Sequence, residues 1–246
     1  MLTLRAAQDR GHVDYGWLNS HHTFSFGGYY DPQQSGFSNL RVINEDRVSA
    51  GMGFDTHGHN DMEIISYVLD GSLEHKDNMG NGSVIVPGDV QRMSAGTGVT
   101  HSEYNHSDTE PVHFLQIWLE PNTLGVKPDY EQKHFTKASR QGKLALLVSP
   151  DAREGSLSSH QDGFLYGSLL DSNQSVTYAL KQKRKVYIHV AKGTVTVNGC
   201  HMKAGDGLKI QFQDSIFIIG KEYSEFLLFD LPYQMIHKTL ISGDLL

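Results

Sequence analysis

The chain has 246 residues, a single cysteine and a formal net charge of −7. That length fits one large or two ordinary domains. The acidic balance argues against direct nucleic-acid binding, which draws on a concentrated basic surface, and Cys200 alone excludes an intrachain disulfide.

The opening residues, MLTLRAAQDRGHVDYG, hold no apolar stretch of signal-peptide length, and nowhere do 18 uncharged apolar residues run together. A cytoplasmic protein with no membrane segment is expected. Next comes an aromatic cluster, His21 to Tyr30, followed by strand-like alternation from Phe37 to Ile43. From residue 62 to about 120, runs such as EIISYVLDG, GSVIVPGD and VHFLQIWLEP recur between Gly, Pro, Asn and Asp turns. Each is about one strand long, and none sustains a helical period over three turns, so stacked antiparallel hairpins are expected. Residues 121 to 160 are polar and rich in turn formers, which reads as a linker. The only basic run, Lys181 to Lys185, precedes a strand-like segment and reads as a solvated turn.

The second half repeats the first. YVLDGSLEHKDNMGNGSVIVPGDVQRM (67–93) and IHVAKGTVTVNGCHMKAGDGLKI (188–210) each carry an apolar strand to a glycine, Gly71 or Gly193. Each then continues through a second strand to a Gly-Asp pair, Gly88-Asp89 or Gly205-Asp206. Glycine supplies backbone angles that other residues avoid and aspartate bonds the turn backbone, so the repeat predicts duplication of one β-barrel or sandwich unit. The copies differ in chemistry: His189 and His201 form no HxH pair, and no HxE follows them.

Residues two apart on a strand share a face, so His57 and His59 can present their imidazoles together, as can His101 and Glu103. The interval between the pairs is long enough for two hairpins, which would bring them side by side in an antiparallel sheet. Three imidazoles and a carboxylate suit a divalent transition metal, and four protein ligands leave positions open for chemistry. Phe24, Phe26, Tyr67 and Tyr104 are candidates for an apolar mouth, with ordinary core positions as the simpler reading. His21 and His22 read as framework histidines, His75, His106 and His113 as surface or hairpin residues, and Asn60 and Asp61 as turn residues able to bond an imidazole.

Gly51, His57-Gly58-His59, Glu63 and Gly71 resemble the first cupin motif, with one extra residue before the last glycine. Gly98, His101 and Asn105, preceded by Pro87-Gly88-Asp89, resemble the second, with tighter spacing around the proline. Within cupins, HTFSFGGYYDP, GFDTHGHNDMEIISYVLDGSLEHKD, MSAGTGVTHSEYN and SPDAREGS resemble the pirin family, in particular its bacterial quercetin 2,3-dioxygenase branch.

The resemblance implies an all-β fold of two cupin (jelly-roll β-barrel) domains in tandem. An N-terminal cupin would span residues 1–135 and carry the metal, and a degenerate metal-free cupin would span 136–246, including a C-terminal tail after about Pro232 that lies outside the resemblance. The implied ligands are His57, His59, His101 and Glu103, with Glu63 supporting them from behind. Iron(II) is the expected metal, with nickel, cobalt, manganese, copper or zinc as alternatives. The implied activity is dioxygenase opening of a quercetin-like flavonol with O2 and release of CO, Glu103 taking the hydroxyl proton. The alternatives are a metal-containing redox- or ligand-sensing regulator acting through a protein partner, and an isomerase or hydrolase using the same cavity.

Overall fold

A computed structural model describes residues 1–233, so the tail beyond Tyr233 lies outside the described residues. In chain order the first half contains β1 (Leu2–Arg5), β2 (Gly11–Asp14), β3 (Leu18–His22), β4 (Leu40–Val48), β5 (Gly53–His59) and β6 (Glu63–Asp70). It continues with β7 (Leu73–Asp77), β8 (Gly82–Ile85), β9 (Asp89–Ser94), β10 (Val99–Asn105), β11 (Val112–Leu119) and β12 (Asp129–His134). One helical turn, α1 (Lys137–Arg140), leads to β13 (Ala145–Ser149), β14 (Leu157–Ser158), β15 (Phe164–Leu170), β16 (Ser175–Ala179) and β17 (Arg184–Lys192). The last strands are β18 (Thr194–Val197), β19 (Cys200–Lys203), β20 (Gly207–Ile210), β21 (Ser215–Gly220) and β22 (Ser224–Pro232).

These strands make two barrels of one design. The first pairs a seven-stranded sheet, β12-β9-β6-β11-β4-β3-β2, with a four-stranded one, β5-β10-β7-β8. The second pairs β1-β20-β17-β22-β15-β13-β14 with β16-β21-β18-β19. The inner strands correspond in order, β9-β6-β11-β4 to β20-β17-β22-β15 and β5-β10-β7-β8 to β16-β21-β18-β19, as the sequence repeat predicts, while the outermost strands differ: β2 is antiparallel to β3, and β14 is parallel to β13. The Gly-Asp punctuation does the same work twice: Asp89 Oδ2 accepts the Val86 amide at 3.1 Å and Asp206 Oδ2 accepts the Lys203 amide at 2.9 Å.

Parity along β6 places the core. Ile65, Tyr67 and Leu69 turn out of the first barrel into a cluster with Tyr187, Leu227 and Phe229 of the second, while Ile64, Ser66 and Val68 turn into the barrel. Both faces of this strand are buried, which is why EIISYVLDG reads as an unbroken run. Buried polar groups cross the same boundary: Arg140 Nη1 donates to Tyr67 Oη at 2.5 Å and to Glu225 Oε1 at 2.9 Å.

Two expectations are corrected. Residues 121–160 are not a linker: they supply β12 at the edge of the first sheet, α1, and β13 and β14 in the second. Edge strands carry polar side chains toward solvent, so β12 lacks an apolar signature. Residues 2–5, expected in the first unit, pair with β20 and complete the second sheet. The basic run contributes a turn and the start of β17, but Arg184 is tied down, its Nε 2.6 Å from Asp230 Oδ1 and its Nη1 2.6 Å from Asp162 Oδ1.

Candidate metal centre

β5 and β10 are antiparallel neighbours, and the register sets His57 opposite His101. With His59 on the same face, the three imidazole centroids stand 4.5 to 4.9 Å apart, and one nitrogen of each lies within 4.8 Å of the others. Gly53 permits this closeness, because a Cβ there would come within 2.4 Å of the Glu103 carbonyl oxygen across the ladder. A bulge in β5 sets Glu103 opposite Phe54. The carboxylate lies beside His101 and His75, within the same 4.8 Å, and does not come that close to all three histidines of the cluster.

The hydrogen bonds fix the tautomers. A carbonyl only accepts, so His57 donates through Nδ1 to Asp55 O at 2.7 Å and keeps its Nε2 lone pair free. Asp77, whose carboxyl is held low by amide and side-chain donors of its turn despite some burial, accepts from His75 Nε2 at 3.1 Å. His75 then accepts at Nδ1 from His101 Nδ1, 3.4 Å away, which leaves the lone pair of His101 on Nε2. That Nε2 is buried without a partner among the described residues. Burial, and then the neighbouring imidazoles, push His101 down to about 3 and His59 down to about 4, so both are neutral near pH 7. Neutral, converging imidazoles with an orphaned buried nitrogen fit a divalent transition metal.

Glu103 is fully buried and its carboxyl is pushed up to about 7. Ser66 donates to Oε1 at 3.0 Å and Gln116 to Oε2 at 2.6 Å. Beside it opens a cavity of about 230 Å³, walled by Leu18, Phe26, Phe54 and Trp118 and by the polar side chains of Ser20, His22, Asn44, Asp46 and Gln116. No lysine or arginine lines it among the described residues.

The sequence did not reveal this far wall. The polar residues belong to β3, β4 and β11 and join the histidines only through the sheet opposite them. Of the four aromatic candidates, Phe26 lines the cavity, Phe24 and Tyr67 sit in the core between the barrels, and Tyr104 donates outward to Asp55. His22 faces the cavity, and His75, read as a surface or hairpin residue, is completely buried behind His101. Asp61 accepts the Gly125 amide instead of bonding an imidazole. Glu63 shares the outward parity of Ile65 and Tyr67, accepts from Ser94, and has no hydrogen bond to a ligand histidine.

In the second barrel the corresponding strands carry Val176, Ile216 and Ile218, and apolar side chains fill the interior. Fold and site together define a two-domain cupin with one metal-competent barrel. The Pirin family profile matches residues 3–119, and a profile described as quercetinase C-terminal cupin domain matches residues 146–231. The chain is 53% identical over 233 residues to quercetin 2,3-dioxygenase of Escherichia coli K12, spanning 94% of this chain and 99% of that protein. A pirin-like protein of Caulobacter vibrioides is 42% identical, over 94% of this chain and 99% of its own length. The crystal structure of the E. coli bacterial pirin YhhW in complex with nickel(II) superposes with a TM-score of 0.90 at 50% identity, covering 94% of this chain and 99% of that one. The chain belongs to the pirin family.

Proposed function

We propose that this protein is a metal-dependent dioxygenase that opens the heterocyclic ring of quercetin-like flavonols with O2 and releases CO, His57, His59, His101 and Glu103 holding the metal. The observation that carries the reading is the convergence of three imidazoles, with ligand nitrogens within 4.8 Å of one another, beside an aromatic-walled cavity that His57 lines and that has no cationic side chains. A flavonol suits that cavity: it is flat, uncharged until its 3-hydroxyl ionises, and chelates through that hydroxyl and the adjacent carbonyl. The quercetin 2,3-dioxygenase name of the E. coli relative points the same way.

A divalent cation in this site supplies Lewis acidity at the enol oxygen and open coordination positions. The protein does the rest. Glu103 is the carboxylate positioned to accept the 3-hydroxyl proton, and Ser66 and Gln116 hold it in place. Phe26 and Trp118, 5.4 Å apart edge to face, keep water from the reacting ring. Nickel in the YhhW complex supports a divalent metal, and iron(II) stays the metal we expect here.

Oxygen uptake with quercetin, measured after reconstitution with iron, nickel, cobalt, manganese or copper, tests the reading. Uptake with at least one metal is expected, falling by roughly 100-fold or more in Glu103→Ala, where a positioned base is lost, and to background in His101→Ala. Absence of uptake with all five metals would sink the proposal.

A further inference from the structure

The wall facing the histidines carries a row of polar side chains. Register aligns His22 with Asn44, Asn44 with Gln116, and Gln116 with Ser66 across β3, β4, β11 and β6, with Asp46 one step along β4 opposite Ser20. A barrel interior is ordinarily apolar, and the second barrel shows as much at its own core. Ser66 and one end of Gln116 are spent on Glu103. What remains is rich in acceptors: Asn44 Oδ1, Asp46 Oδ1 and Gln116 Oε1 have no hydrogen-bond partner among the described residues.

Amide ends can exchange by rotation, but a carboxyl keeps an acceptor oxygen whether or not it is protonated, so Asp46, which burial pushes up to about 7, is the fixed acceptor of the three. It is 4% exposed and lines the cavity, and no basic side chain faces it there. A buried acceptor without a partner is costly, and a ligand that brings a donor removes the cost. Apolar groups leave this wall unpaired, and a hydroxyl satisfies it.

We propose that Asp46 accepts a hydrogen bond from a phenolic hydroxyl of the bound ligand, so that the site selects polyhydroxylated aromatics over those offering only the chelating hydroxyl and carbonyl. The inference rests on the flavonol reading above. It makes Asp46 the residue that recognises a second hydroxyl, on the wall away from the histidine cluster.

Binding of quercetin and of 3-hydroxyflavone to the nickel-loaded full-length protein, followed by calorimetry, tests it without turnover. Wild type is expected to prefer quercetin by roughly tenfold, the worth of one hydrogen bond to a buried carboxyl. Asp46→Ala is expected to bring the two affinities within about twofold by weakening quercetin alone. Asp46→Asn, which keeps the volume should the alanine variant fail to fold, is expected to give an intermediate preference. An unchanged preference in every variant that folds, or equal weakening of both ligands, overturns the role of Asp46 and leaves the flavonol reading standing. Failure of wild type to bind either flavonol overturns both.

Discussion

The chain Asp77–His75–His101 gives one carboxylate control over a nitrogen two residues removed from it. Asp77 forces the proton of His75 onto Nε2, His75 Nδ1 then accepts from His101, and His101 Nε2 is left with its lone pair toward the cluster. Asp77→Asn keeps the oxygen that accepts the Met79 and Asn81 amides, so the turn survives. Its amide N–H, turned to His75, reverses each tautomer in the chain and places a proton on His101 Nε2. Nickel affinity measured by calorimetry is therefore expected to fall about 10- to 100-fold with the melting temperature of the metal-free protein little changed. Unaltered affinity would show that His101 orients without the relay. At this scale the sequence was legible where chemistry lies along one strand: HxH and HxE are spacings of two, and parity brings the three histidines together. His75 and Asp46 were illegible because their meaning comes from neighbours on other strands.

The hairpin between two strands is the element that was duplicated. Gly71 and Gly193 close it in each barrel with φ of +76° and +72°, the left-handed region. A Cβ would come within 2.7 Å of the Pro111 carbonyl oxygen at the first and 2.2 Å of the Tyr223 carbonyl oxygen at the second. Both backbones are fixed by their sheets, so neither can yield cheaply. Gly71→Ala and Gly193→Ala are each expected to cost about 2 to 4 kcal/mol in urea unfolding, and a neutral effect at either would show that the two turns are not equivalent. Elements with this punctuation and an apolar run were readable from the sequence. The edge strands β1, β12 and β14 were not, because one side of an edge faces solvent and their identity lies in pairing to partners distant in the chain.

On the scale of the whole molecule, the two barrels share one core. Phe24, Tyr67 and Leu115 from the first pack in a single buried cluster with Tyr187, Leu227 and Phe229 from the second. β1 is held in the second sheet although the strands that follow it build the first, so chain connectivity as well as packing links the halves. Arg140, Tyr67 and Glu225 add a buried polar tie that must open if the barrels part, and separating such a group leaves charge unpaired. Neither barrel can then unfold without exposing the face of the other, so one cooperative transition is expected. Both tryptophans, Trp17 and Trp118, lie in the first barrel, and far-UV circular dichroism reports both. Their thermal midpoints should coincide within error in the metal-free protein. Nickel binds at the first barrel alone on the reading above, yet at 100 times its dissociation constant it should stabilise the whole fold by about 2.7 kcal/mol and move both midpoints together. Displacement of the fluorescence midpoint alone would mean that the shared core does not couple the domains, and that the metal-free barrel is an appendage instead of a structural partner of the site.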